Sequence, residues 1–362
     1  MPGPLSWSPP ERPKKSWWTL AGLPIIALGL VLLVVSTIEL PYVELAPGGA
    51  SPINPLLKVP AQYEHKPKAS FLLMTVSLQS VVRPFDLVRD YFDPDIEVIS
   101  RKEIYGTSSK QQYNQQATQD MDDSKENAVV LALRTLNYPV PEHGAGALIG
   151  ALSSGQVPAT GQLAAGDVIT AVDSTPTALA SDAISALQRH KSGDNVTLTV
   201  TKADKSVTHP VIRLGSRTET SCSIAVVSGA VPCLGVSLAT KDHKFDLPFP
   251  VSIDTSGVGG PSAGLAFTLA LIDELTPGEL TGGRNVAVTG TIDLDGTVGD
   301  VGGVVQKTAA ARHSGATLFL VPPGEFATAK AHAGKHLKVV QVTTLSDALA
   351  ALRANGGEAL PK

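Results

Sequence analysis

The chain has 362 residues, 43% of them hydrophobic, which is enough for two or three ordinary packed cores. Its 29 basic and 33 acidic residues leave a formal net charge of −4, so no global attraction to nucleic acid or to anionic lipid is expected. Two cysteines rule out a disulfide-dense scaffold, and no His or further Cys is spaced to complete a metal site with them, so no metal or cofactor is expected.

From Trp17 to Ile38 no charged residue occurs. As a helix these roughly 22 residues span about 33 Å, against a bilayer core of about 30 Å. Trp17, Trp18 and Tyr42 stand where interfacial aromatics belong, and Pro24 is tolerable in a membrane helix. Arg12, Lys14 and Lys15 precede the run, whereas Glu39 and Glu44 follow it. The expectation is a single-pass anchor at 17–38, with a cytoplasmic tail at 1–16 and the rest of the chain extracytoplasmic. A cleaved signal peptide has a shorter apolar region and a small-x-small site, and a buried core helix is seldom apolar on every side for so long.

Residues 39–139 read as an extracytoplasmic N-terminal subdomain. Pro and Gly mark 40–50 as extended linker, Phe71 to Val82 is rich in β-formers, and 120–136 has helical spacing ended by Asn137-Tyr138-Pro139. No chemistry is visible there, and a packing and spacing role is expected. At 140–215 the texture changes: a short apolar run, Leu163-Ala-Ala-Gly166-Asp167-Val-Ile169 into a strand, a helix over 181–190, then Gly193-Asp194 before the alternating strand 196–200. This segment resembles a bacterial PDZ domain. The resemblance implies that an extended peptide adds as a strand near Gly146, Ala147, Leu148 and Ile149, or that the domain only spaces or gates its neighbour. A linker occupies 216–231. Cys222 and Cys233, eleven positions apart, are either bridged or separate thiols.

The remaining 232–355 reads as an α/β domain, with a C-terminal tail at 356–362. A strand ending at Ile253 runs into Gly257-Val-Gly259-Gly260-Pro-Ser262-Ala-Gly264 and then an apolar helix. Glycines admit close backbone approach, and a helix start offers free N–H donors, so the backbone around Gly259, Gly260 and Ser262 can form an oxyanion hole beside a serine hydroxyl. Ser262 as a plain helix cap, or phosphate binding at 257–262, fits the same turn. Further on, Lys307 lies in a predicted helix with no other charge from Val301 to Ala311.

Gly-Gly-Pro-Ser262-Ala-Gly, followed about 45 positions later by Gly302-Gly-Val-Val-Gln-Lys307, resembles the proteolytic domain of the Lon peptidases. Thr289-Gly-Thr-Ile-Asp-Leu-Asp-Gly-Thr-Val matches the family's segment before the lysine. Anchor, PDZ-like and Lon-type domains together look like the membrane-anchored PDZ–Lon proteins of bacteria, an α/β (α+β) fold class. The resemblance implies Ser262 as nucleophile, Lys307 as general base and Thr289 as the hydroxyl orienting the amine. It also implies a homo-oligomer, a hexamer by analogy. Gly259 stands where ATP-dependent members carry an acidic residue, and no Gly-x-x-x-x-Gly-Lys-Ser/Thr phosphate loop occurs. The expected activity is therefore ATP-independent serine endopeptidase cleavage of unfolded or flexible polypeptides. The rival is a catalytically inactive PDZ adaptor or scaffold at the membrane.

Overall fold

The computed structural model describes residues 17–153, 159–216, 232–255 and 257–361, with side chains from Pro24 onward. The tail at 1–16, Cys222 and the linker from 217 lie outside the described residues. The chain forms two units: residues 1–135 with 251–362, and residues 136–250.

The first unit begins with helix α1 (Trp17–Val35), which has no charged residue in its first or last turn. Ser36 and Thr37 close it, their hydroxyls donating to the carbonyls of Leu33 and Val34 at 2.7 Å each. It stops short of the expected Ile38, because these two residues satisfy the last carbonyls. Among the described residues no helix is long and apolar enough to cross a membrane.

The body of this unit is a six-stranded sheet. In chain order its elements are β1 (Tyr42–Pro52), β2 (Phe71–Gln79), helix α2 (Pro84–Asp90), β3 (Glu97–Ser100) and helix α3 (Lys110–Thr135). After the second unit follow α4 (Gly264–Leu275), β4 (Val286–Val288), α5 (Val304–His313), β5 (Leu318–Val321), α6 (Phe326–His332), β6 (Lys338–Gln341) and α7 (Leu345–Ala354). Strand order is β6-β5-β4-β2-β1-β3. β4 pairs in parallel with β5 and with β2, Val286 lying opposite Phe71, whereas β1 is antiparallel to β2 and β3.

The segment 39–139 is therefore no separate subdomain in the structure. β2 is an interior strand, buried on both faces over Phe71–Met74, and Leu72 and Met74 share one core with Ala287, Ala310 and Phe319. α3 packs on α4, whose every residue is buried, and Met121, Ser124 and Ala128 are among its own buried residues. Its first ten residues, Gln-rich and without apolar periodicity, extend it beyond the expected start.

The second unit is a small β-rich domain with strand order 207–208, 195–201, 168–172, 147–152, 236–240, and the helix Ala180–Leu187 lies against it. Ile149, Ile169, Leu198 and Leu187 fill its core. The Leu-x-x-Gly-Asp stretch is a tight turn: Gly166 has φ +93°, and Asp167, 3% exposed, accepts from the Ala164 N–H and pairs with Lys202 at 2.7 Å. Position 166 thus needs the left-handed backbone that glycine supplies.

The expected peptide edge needs correction. Ala147 and Leu148 pair with Ile169 and Val168 on one side and with Thr240 and Ala239 on the other, and Ile149 pairs with Leu238. Gly146 is likewise engaged, its N–H donating to the Ala178 carbonyl and its own carbonyl accepting from Lys241. A strand hydrogen-bonded on both sides has no ladder groups left for a peptide. The sheet ends instead at Val236–Thr240. Cys233, in a two-residue strand just before it, is disulfide-bonded.

Candidate active site

Ser262, Lys307 and the glycine turn line one cavity of about 1110 Å³ in the first unit. The turn at 257–263 is held from several directions. Gly257 and Gly260 have φ of +80° and +93°, conformations that side chains rarely adopt. The Ser124 hydroxyl, on α3, donates to the Pro261 carbonyl at 3.0 Å. The Ser262 carbonyl accepts from the Gly290 N–H at 3.0 Å and from the Thr289 hydroxyl at 3.2 Å.

This leaves the serine side chain free. The cap of α4 is Ala263, with no side-chain hydrogen bond, so Ser262 is not a helix cap. Among the described residues its half-buried hydroxyl has no hydrogen-bond partner. The expected oxyanion donors separate. Gly260 N–H is taken by the Ala117 carbonyl of α3 at 2.7 Å and is not available in this conformation. Gly259 packs on the same residue, where an added Cβ would stand 3.1 Å from that of Ala117. The N–H groups of Gly259 and Ser262 carry no acceptor among the described residues, so these two remain.

Lys307 enters from α5, which starts at Gly303 in the left-handed region (φ +67°), where a Cβ would stand 2.6 Å from Val76 Cγ2 of β2. Lys307 is only 3% exposed. Burial lowers its pKa from the ordinary 10.5 to about 8, while the negative charge of Glu325 acts in the opposite direction. Glu325 is fixed by the Val301 N–H at 3.1 Å, and burial, with Asp300 adding to it, pushes its carboxyl upward. A lysine in this state is neutral for an appreciable fraction of the time near neutral pH, as a proton acceptor must be.

Thr289, 1% exposed, donates its hydroxyl to the Ser262 carbonyl and so orients the serine backbone. The cavity wall contributed by α3, including Ala117 and Met121, was invisible to motif reading. The i, i+4, i+7 stripe of Ala117, Met121 and Ser124 is its only local sign. Among the described residues no group of three or more His, Cys, Asp or Glu is arranged to hold a metal ion.

Comparison with known proteins agrees with this architecture. Residues 249–353 match the Lon protease (S16) C-terminal proteolytic domain, and residues 151–212 match the PDZ domain. Among curated relatives, a Lon protease of Clostridioides difficile is 48% identical over 63 residues, covering 17% of this chain and 8% of that protein. One from Phenylobacterium zucineum is 34% identical over 106 residues (29% and 13%), and Lon protease 2 of Bacillus subtilis 30% over 114 (30% and 20%). The chain thus spans a fifth or less of the length of these relatives. A crystal structure of the PDZ domain of an SdrC-like protein from Listeria monocytogenes is 23% identical, covering 26% of this chain and 87% of that one, with a TM-score of 0.22. The chain carries a PDZ domain and a proteolytic domain of the Lon S16 type, which is a serine-type peptidase family.

Proposed function

We propose that the protein is an ATP-independent, membrane-anchored endopeptidase in which Ser262 is the nucleophile and Lys307 its general base. One observation carries this reading: an uncapped serine hydroxyl and a buried lysine with its pKa lowered to about 8 line the same cavity. Neutral Lys307 takes the Ser262 proton as the hydroxyl attacks a peptide carbonyl, and then returns it to the leaving amine. The N–H groups of Gly259 and Ser262 hold the tetrahedral oxyanion. Substrates are unfolded or flexible polypeptides outside the cytoplasmic membrane, since the sequence carries no phosphate-loop motif for an unfolding motor.

Anchoring is supported by the apolar α1, whose Ile25, Leu28 and Leu33 are 69%, 59% and 64% exposed. The disulfide at Cys233 supports an oxidising compartment. In the PDZ domain, Val236–Thr240, the terminal strand of the sheet among the described residues, takes an extended substrate segment. Further copies of the chain complete the assembly. Cleavage of an unfolded protein by the full chain in detergent tests the chemistry, against Ser262→Ala and Lys307→Ala. Both variants are expected to lose activity by at least about a thousandfold. Equal cleavage by all three would remove the dyad, and cleavage by none would favour an adaptor.

A further inference from the structure

Helix α2 sets large apolar side chains toward solvent while its one buried residue is the acidic Asp90. Arg89 reaches Glu44 of β1 and the neighbouring Asp90 at 2.7 Å each, and both carboxylates are 5% exposed. Phe85 and Val88 of α2, and Tyr91 and Phe92 just past its end, are 48%, 61%, 85% and 78% exposed. The Tyr91 and Phe92 rings stand edge to face with centroids 5.2 Å apart.

In the catalytic unit the exposure falls in two segments, 38–42 and 78–92. Beyond α1, the exposed large apolar side chains described in the catalytic unit are Ile38, Tyr42, Leu78 and Val81 together with those four. Exposed aromatic and aliphatic side chains gathered in this way mark an interaction site. It is also continuous with α1. The Leu40 N–H donates to the Val82 carbonyl at 2.8 Å, so the chain leaving α1 lies against the residue that leads into α2.

We infer that the outward side of α2, with the two residues that follow it, is a membrane contact, in which Phe85, Val88, Tyr91 and Phe92 enter the interfacial layer of the bilayer that holds the anchor. The inference rests on the anchoring reading above. Aromatic side chains favour the headgroup level, and a short helix with an outward apolar face lies in the interface plane. Arg83 and Arg89 are outnumbered by Asp86, Asp90, Asp93 and Asp95 in the same segment, so the contact is apolar and gains nothing from anionic lipid. The pair of attachments, the anchor and the flat patch, holds the catalytic unit against the surface instead of at the end of a free tether.

The test uses the full chain in phosphatidylcholine vesicles, with a nitroxide on a single introduced cysteine. Val88→Cys and Phe92→Cys report the patch, Leu30→Cys reports α1, and Lys335→Cys reports a water-exposed site. Labels at 88 and 92 are expected to collide with oxygen in preference to a water-soluble nickel chelate, several-fold more than at 335. That ratio is expected to stay unchanged at about 1 M salt, where exposed-charge attraction is screened. If 88 and 92 match 335 while 30 reports lipid, the patch inference is overturned and the anchor stands. If 30 also matches 335, both readings fall. Shielding of 88 and 92 from both collision partners would mean that protein, such as a second copy, covers the face, and the lipid contact is refuted.

Discussion

Replacing Lys307 by Met is expected to make the protein more stable as well as inactive, by an amount that depends on pH in a defined way. The folded-state pKa of about 8 lies below the ordinary 10.5 because the amine is buried. Below pH 8 the folded protein must carry a charged amine in a dry site. At about 1.36 kcal/mol per pH unit between the two values, that costs about 3 kcal/mol at pH 7. Between pH 8 and 10.5 the unfolded chain binds the proton that the folded chain does not, so wild-type stability rises with pH and the cost fades. Methionine has nearly the same stem and never charges. Urea denaturation of the full chain in detergent should show Lys307→Met more stable by about 3 kcal/mol at pH 7, shrinking to about 1 kcal/mol at pH 9.5. A variant no more stable at pH 7, or a difference that is flat across the range, would refute the buried-amine argument.

The same amine governs rate: kcat/KM should rise about tenfold per pH unit below pH 8 and level off above it, because the neutral form is the base. Glu325→Gln removes the negative charge that raises the Lys307 pKa, so this limb should move to lower pH, read from the full profile. Thr289→Val removes a buried hydrogen bond to the Ser262 carbonyl and should reduce kcat/KM by roughly tenfold, about 1.4 kcal/mol, with the limb left near pH 8. A displaced limb would instead put that hydroxyl on the amine. At Gly264 a Cβ would stand 2.8 Å from both Ile292 Cγ2 and Ser124 Oγ, so Gly264→Ala should cost about 1–3 kcal/mol in a melt and most of the activity. Gly302→Ala meets nothing within 4 Å and should be near neutral, which a paired measurement would check.

The parts of the fold legible in sequence were those with local causes. The apolar run after the Gly-rich turn became α4, and the stretch around Lys307 became α5, stopped at Gly315 with φ +72°. In the PDZ domain the alternating Val196-Thr-Leu-Thr-Val200 is a strand, and the Gly-Asp turn before Val168 formed where its residues place it. What failed was non-local. The parallel pairing of Phe71 with Val286 has no signature in either segment, so β2 and α3 were assigned to a spacer when they form a sheet strand and a cavity wall. The peptide edge was misplaced for a similar reason, because Val236–Thr240 returns from beyond the expected linker to cover the strand at 147–152. At the site itself, residue types were legible but hydrogen-bond directions were not. That Gly260 donates to Ala117, and Thr289 to Ser262, depends on backbone positions fixed only in the packed unit.

The interruption of the first unit by the second has a consequence for how the protein is made. Phe71 emerges from the ribosome roughly 215 residues before the strand it pairs with, about 10–40 s at ordinary elongation rates. During that interval β2 lacks one neighbour, and α3 lacks the helix it packs on. The PDZ unit, continuous from 136 to 250, has all its strands available first. Its completion precedes closure of the peptidase sheet, so the cavity that holds Ser262 and Lys307 cannot assemble until nearly the whole chain has been synthesised. A nascent chain of this order is incapable of proteolysis while it is still being made.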